Sequence, residues 1–174
     1  MEKAERGDRM IVVSDTTPLI SLMKIGRLGL VEQLFGEVQI PEAVYTELIT
    51  NPQFSEEAQQ IQGSSFIKRV VVNDSKSVDL LRRATGLDKG ESEAIILSDI
   101  YHADLLLMDE IKGRQVAKQM GLHLMGTVGM LRVAYEEKLL SYEGIVECIE
   151  VLKVNGRHIS DKLFSQLLES IQPR

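Results

Sequence analysis

A chain of 174 residues and 19.5 kDa suits one hydrophobic core of ordinary size and leaves little room for two. Apolar residues at 44% and charged residues at 26% lie near globular averages, which excludes disordered, collagen-like and coiled-coil organisation. With 20 Lys and Arg against 26 Asp and Glu, the net charge of −6 excludes a uniformly basic surface that holds nucleic acid by counterion release alone.

In chain order, residues 1–9 mix Lys3, Arg6 and Arg9 with Glu2, Glu5 and Asp8, lack the apolar run of a secretory signal, and read as an N-terminal extension. Residues 10–13 (MIVV) predict a strand apolar enough to be buried on both faces, and Asp15 follows it closely. Thr17 can cap a helix whose first residue is Pro18, where the missing N–H costs nothing. A strand over 38–40 leads into a helix from Pro41 to about residue 49. The polar stretch 51–65 (NPQFSEEAQQIQGSS) predicts a surface excursion with one short helix. A strand over 66–72 and helices over 77–84 and 91–101 come next, with Gly86 as a helix stop. The strand 103–108 (ADLLLM) ends at Asp109. Helices over 110–120, 128–138, 142–152 and 161–171 complete the chain, with Gly121 as a stop and a short edge strand at 123–125.

Apolar strands alternating with helical segments predict an α/β fold with a central, mostly parallel sheet. Residues 10–140 form the expected domain, and 141–174 a C-terminal helical extension packed on it. Cys148 is the single cysteine, so an intrachain disulfide and a Cys-rich zinc site are both excluded and a reducing compartment fits. No apolar run approaches the ~18 residues of a membrane span, and a cytoplasmic protein is expected.

The acids are unevenly spread: 18 acidic and 11 basic side chains up to Asp109, 8 and 9 beyond it. Asp15 and Asp109 each follow an apolar strand, and in an open parallel sheet ligands gather outside the carboxyl ends of the strands. Each aspartate could instead cap the helix after it. On the helix that starts at Pro41, Glu47 shares a flank with Ala43 and Val44, residues expected to be buried. In Gly90-Glu91-Ser92-Glu93 the helix dipole favours both acids without any function. Glu93, however, lines up with Ile96, Leu97 and Ile100, an apolar face on which a carboxylate needs a cation or a donor. Acids without paired His or Cys suit hard divalent ions such as Mg²⁺ or Mn²⁺. His102, His123 and His158 have no paired ligand spacing and read as surface or packing residues.

Competing schemes lack residues they need. A haloacid-dehalogenase-type site would want a second Asp two positions after Asp15, where Thr17 stands. Neither Gly-x-Gly-x-x-Gly after a strand nor Gly-Lys-Ser/Thr occurs. A receiver domain would want a lysine at a late strand end, and residues 123–126 offer none.

Four segments in order carry a resemblance: Val12-Val13-Ser14-Asp15-Thr16-Thr17-Pro18, Pro41-Glu42-Ala43-Val44-Tyr45-Thr46-Glu47, Gly90-Glu91-Ser92-Glu93-Ala94 and Leu107-Met108-Asp109-Glu110-Ile111-Lys112-Gly113-Arg114. They are followed by Gly126-Thr127-Val128-Gly129. The chain resembles PIN-domain nucleases over about residues 10 to 140, and most closely short prokaryotic PIN-like proteins predicted to bind nucleic acid, related to the toxin ribonucleases of toxin–antitoxin pairs. The resemblance implies a three-layer α/β/α fold, here with extra C-terminal helices. It also implies Mg²⁺- or Mn²⁺-dependent hydrolysis of RNA, single-stranded or structured.

The family's acidic quartet would fall on Asp15, Glu47, Glu91 and Asp109. Asp15, Glu91 or Glu93, and Asp109 would hold metal, with Glu47 as ligand or water-orienting base. Thr16, Lys112 and Arg114 would contact substrate, although Thr16 could equally cap its helix and Arg114 could pair with Glu110 one turn earlier. Lys118, Lys153, Arg157, His158 and Lys162 are further basic residues for substrate or merely solvated surface. Many family members carry Thr or Ser directly before the last acid, where this chain has Met108. An antitoxin protein and a homodimer are the partners the resemblance suggests. A PIN-like module that binds nucleic acid or protein without cutting is the alternative.

Overall fold

The computed structural model describes residues 9–157 and 159–171. Five strands, β1 (Val12–Ser14), β2 (Val38–Pro41), β3 (Ile67–Val70), β4 (Leu105–Leu107) and β5 (Leu124–Met125), form one parallel sheet in the order β3-β2-β1-β4-β5. The most apolar runs, β1 and β4, lie side by side in its interior and are wholly buried. β3, with Lys68 and Arg69 exposed, takes one edge, and two-residue β5 the other.

Ten α-helices are described: α1 (Thr16–Lys24), α2 (Gly29–Phe35), α3 (Glu42–Thr50), α4 (Ser55–Gly63), α5 (Ser75–Thr85), α6 (Lys89–Ile100), α7 (Ile111–Gln119), α8 (Thr127–Glu136), α9 (Tyr142–Val154) and α10 (Asp161–Ser170). Because strand side chains alternate, Val12, Leu105 and Leu107 enter one core while Val13, Leu106 and Met108 enter the other. The first core is filled by Leu19, Ile20 and Leu22 of α1, Met130 and Leu131 of α8, and residues of α2, α3, α9 and α10. The second is filled by Leu87, by Ala94, Ile95 and Leu97 of α6, and by Ala117 of α7. The result is a three-layer α/β/α domain.

The C-terminal helices share the first core through Ile145, Cys148, Ile149, Leu152, Phe164 and Leu167. Each such side chain, buried whole, contributes on the order of 2 kcal/mol, so α9 and α10 are held as firmly as the helices beside the sheet.

Several boundaries differ from the sequence expectation for physical reasons. β1 starts at Val12, not Met10, because the Ile11 N–H donates to the Asp104 carboxylate at 2.8 Å instead of extending the ladder. α1 opens at Thr16 with Asp15 in the preceding extended position, so Thr17 lies inside the helix and not at its cap. α2 is absent from the sequence reading: seven residues make a marginal helix alone, and burial of Leu30 and Val31 stabilises it. The 51–65 segment holds more helix than expected, a 3₁₀ turn at Pro52–Phe54 and the nine-residue α4, which buries Glu57 and Ile61. Gly86 and Gly121 stop helices at φ +74° and +80°, a backbone region that glycine enters freely.

Candidate active site

The strand order reverses between β1 and β4, since the chain runs outward from β1 to β3 and returns to β4 on the other flank. At such a reversal, successive connections leave in opposite directions and open a crevice beyond the strand ends. Ser14 is in register with Leu107, and the Asp15 N–H donates to the Leu107 carbonyl at 2.9 Å. Asp15 and Asp109 therefore leave neighbouring strands at the same edge of the sheet.

Asp15 is 4% exposed and makes no capping hydrogen bond, so helix capping does not account for it. Burial drives its pKa up to about 8. The Thr16 backbone N–H opposes that rise, while the negative charges of Glu91, Asp88 and Glu47 add to it. Glu47 comes from α3 and accepts a 2.8 Å hydrogen bond from the Thr16 hydroxyl. Its Oε2 lies 3.7 Å from where a Cβ on Gly90 would sit, and Asp88 Oδ1 lies 3.6 Å from the same point. These two acids thus both lie against the start of α6.

Asp88 and Glu91 form a capping box: the Glu91 N–H donates to Asp88 Oδ1 at 2.8 Å and the Asp88 N–H to Glu91 Oε2 at 3.0 Å. The role that helix electrostatics alone could give Glu91 is thus fulfilled. Its other oxygen, Oε1, lies 3.7 Å from the Cβ position of Gly113 on α7, so the carboxylate bridges the gap between two helices. Half-burial raises the Glu91 pKa; the Asp88 N–H opposes this, the Asp88 and Glu110 charges add to it, and Lys112 offsets part.

Glu93, 7% exposed, accepts a 2.8 Å hydrogen bond from the Ala43 N–H in the first turn of α3. That donor is what a carboxylate on an apolar face requires, and it is one of the N–H groups a helix start leaves without a partner. Glu93 thereby ties α6 to α3, whereas Asp88, Glu91 and Glu47 are the acids whose charges bear on Asp15.

Asp109 is held at both oxygens by one residue. The Thr127 N–H donates to Oδ1 at 2.8 Å and the Thr127 hydroxyl to Oδ2 at 2.6 Å. The hydroxyl missing at position 108 is supplied across space by the first residue of α8. A Cβ on Gly126 would sit 2.7 Å from Asp109 Oδ1, so the close approach of this loop depends on glycine.

Of the basic candidates, Arg114 folds back so that Nη1 donates to the Met108 carbonyl at 2.7 Å, beside Gly126. That bond, and not a pair with Glu110, is its partner. Lys112 reaches over the Gly86 turn, its Nζ 3.0 Å from the Cβ position there. Lys118 and Lys162 are exposed, and Lys153 pairs with Asp161 at 3.2 Å. His158 lies outside the described residues, as does the N-terminal extension up to residue 8. Arg157, in the turn after α9, is half-buried with Nε enclosed and lacking an acceptor among the described residues. Its burial lowers its pKa, and the charges of Glu57 and Asp109 oppose that shift.

Sequence reasoning missed Asp88, Gly126, Thr127 and the approach of Arg157 to Asp109. Asp88 carried a local signal, since Asp-x-x-Glu ahead of an apolar run is a capping-box pattern. Thr127 stood only within the Gly126-Thr127-Val128-Gly129 segment of the resemblance, and nothing local pointed to its partner, which is 18 residues away.

Fold and site together define a PIN-like domain, an architecture of nuclease type. The model of a PIN-domain family, DUF3368, matches residues 11–173, and the chain belongs to this family. No curated protein matches the chain. The match extends through α9 and α10, well beyond the residues on which the resemblance rests.

Among the described residues no three Asp, Glu, His or Cys side chains converge closely enough to hold one metal ion. The donor set is nonetheless all carboxylate oxygen. Mg²⁺ usually keeps several waters and takes one or two carboxylates together with substrate phosphates. A buried Asp15 amid three like charges suits that demand, so the residues present fit such an ion.

Proposed function

We propose that this protein is a metal-dependent ribonuclease that hydrolyses phosphodiester bonds at the crevice between β1 and β4. The observation that carries the reading is Asp15, a buried carboxylate at the strand-order reversal on which the negative charges of Glu91, Asp88 and Glu47 all bear. Such an arrangement costs folding energy, and residues that cost stability concentrate at functional sites.

In this reading Asp15, with Glu91 or Asp109 as its second carboxylate and phosphate oxygens of the substrate, would hold Mg²⁺ or Mn²⁺, which when bound activates water and stabilises the charge of the leaving oxygen. Glu47, held by the Thr16 hydroxyl, orients the attacking water or accepts its proton. Thr127 fixes the Asp109 carboxylate so that its oxygens keep one orientation through the reaction. Arg114 stays on the Met108 carbonyl as a brace for the strand end, and Lys112 and Arg157, whose charges bear on Glu91 and Asp109, are the cations offered to a phosphate.

RNA cleavage with Mn²⁺ tests this for wild type and for Asp15→Asn combined with Asp109→Asn. The wild type cuts and the double variant does not; undiminished cutting by the double variant refutes the assignment. A module that binds without cutting is favoured by one observation, the double hold of Thr127 on Asp109, and RNA binding with no cleavage by wild type would select it. Among the described residues no helix is long and apolar enough to cross a membrane. We further propose a cytoplasmic protein that pairs with an antitoxin and forms a homodimer, the last read by light scattering of the purified chain.

A further inference from the structure

Beside the carboxylates the surface changes sign. A cleft of about 500 Å³ opens between α5 and the turn that leads into α6, lined by Asp79, Arg82, Arg83 and Leu87. Arg82 and Arg83 are exposed, and neither forms an ion pair with any described residue. Arg83 makes a long hydrogen bond from Nε to the Asp79 backbone oxygen at 3.4 Å. Arginines in a last helical turn are favoured by the helix dipole alone, but that accounts for neither the cleft between them nor its location. Leu87, its buried floor, directly precedes Asp88, whose charge bears on Asp15. From the other side of the same turn, Lys112 Nζ closes to 3.0 Å of the Gly86 Cβ position and offsets the charge of Glu91.

Three cations thus surround the Gly86–Asp88 turn, and the only acid in the cleft lining is Asp79. A guanidinium without a carboxylate partner keeps its forked donors available for the planar, bidentate geometry that phosphate oxygens accept. Successive phosphates of a polynucleotide need cations spaced along a path, not one deep pocket.

Resting on the nuclease reading, we propose that the Arg82–Arg83 cleft, with Lys112, is the track along which the phosphate backbone of a single-stranded nucleic acid is led into the carboxylate crevice. Arg82 and Arg83 take phosphates outside the reacting bond, and Lys112 takes the phosphate next to Glu91. Recognition of this kind reads the backbone, and with aromatics at 5% and no Trp the chain offers little for base stacking.

The test is fluorescence anisotropy of a labelled single-stranded RNA with the full chain in EDTA, titrated at several salt concentrations. Arg82→Ala with Arg83→Ala removes two phosphate contacts, which lowers the slope of log K against log salt by about 1.4, at ~0.7 per contact on single strands. Over 50 to 200 mM salt, that difference makes the wild-type advantage shrink about sevenfold. Arg82→Lys with Arg83→Lys restores most of the slope, and Lys138→Glu, beyond the far end of α8, leaves it unchanged. An unchanged slope in the alanine pair, with the thermal melt as in wild type, overturns the track. Capture of an acidic peptide but not RNA, lost in the same pair, overturns it in favour of a protein partner. Slope loss in the alanine pair alongside a wild type that never cuts RNA supports the track while removing the nuclease reading, so the two can fail separately.

Discussion

Replacing Asp15 by Asn should stabilise the metal-free protein, and by an amount that grows with pH. The amide has nearly the shape of the carboxyl group but never ionises. In wild type the Asp15 proton leaves the unfolded chain near the ordinary value of 3.8 and leaves the folded chain only at about 8. Between those values the folded state binds one more proton than the unfolded state, so stability falls as pH rises. Whatever Asp15 contributes is fully present below about pH 4, declines by ~1.4 kcal/mol per unit, and levels off above about pH 8. Across the window the loss amounts to at most about 6 kcal/mol, an upper bound because water or a cation entering the crevice offsets part of it. Denaturant melts in EDTA from pH 5 to 9 measure it. The wild-type midpoint should drop with pH much more steeply than that of Asp15→Asn, and the two curves should diverge most near pH 8. Adding Mg²⁺ at pH 8 should then raise wild type and leave the variant nearly unmoved. Parallel curves over the whole range would refute the reasoning, since Asp15 would then be solvated or already neutralised by the protein.

Two further substitutions separate the roles of neighbouring residues. Gly126→Ala sets a Cβ 2.7 Å from Asp109 Oδ1; the carboxylate must shift, at a stability cost of about 1 kcal/mol. Because a displacement of about 1 Å at a reacting group costs up to ~100-fold, the smaller shift forced here should lower RNA cleavage by less than that but measurably, and a variant that cuts like wild type would exclude Asp109 from the reacting centre. Glu93→Ala leaves the Ala43 N–H unpaired and should cost about 1 to 3 kcal/mol in a chemical melt. Glu93→Gln keeps an acceptor there and should retain both stability and cleavage; abolished cleavage with an unchanged melt would make Glu93 a metal ligand.

How far the site can be read without coordinates differs from residue to residue. The strand-end positions of Asp15 and Asp109 follow from two apolar runs whose ends are visible in the sequence, because a buried strand must stop where a charge stands. The capping box of Asp88 and Glu91 is equally local. For Glu93 the helical period correctly shows an anomalous acid on an apolar face, but it cannot say whether a metal or an N–H meets it. The donor, Ala43, is 50 residues away on another helix. Arg114 illustrates the converse: the i, i+4 spacing suggests Glu110, and the strand-end carbonyl of Met108 takes the guanidinium instead. Helix α2 escapes a periodicity reading because seven residues hold together only through the core they enter.

Length, alternating apolar runs and the stops at Gly86 and Gly121 determine a single α/β domain, since each is a consequence of local backbone preference and burial period. Composition settles less than it seems to: the acid-rich N-terminal two-thirds makes the chain negative, yet the exposed arginines of α5 line a cleft beside the turn that carries Asp88, one of the acids around Asp15. Only the tertiary structure decides which acids crowd Asp15, that Thr127 holds Asp109, and that Glu93 belongs to the α3–α6 joint. Those pairings are set by the strand order β3-β2-β1-β4-β5. They join side chains tens of residues apart, and hydrogen bonds and charge act over ångströms of space, whatever the distance along the chain.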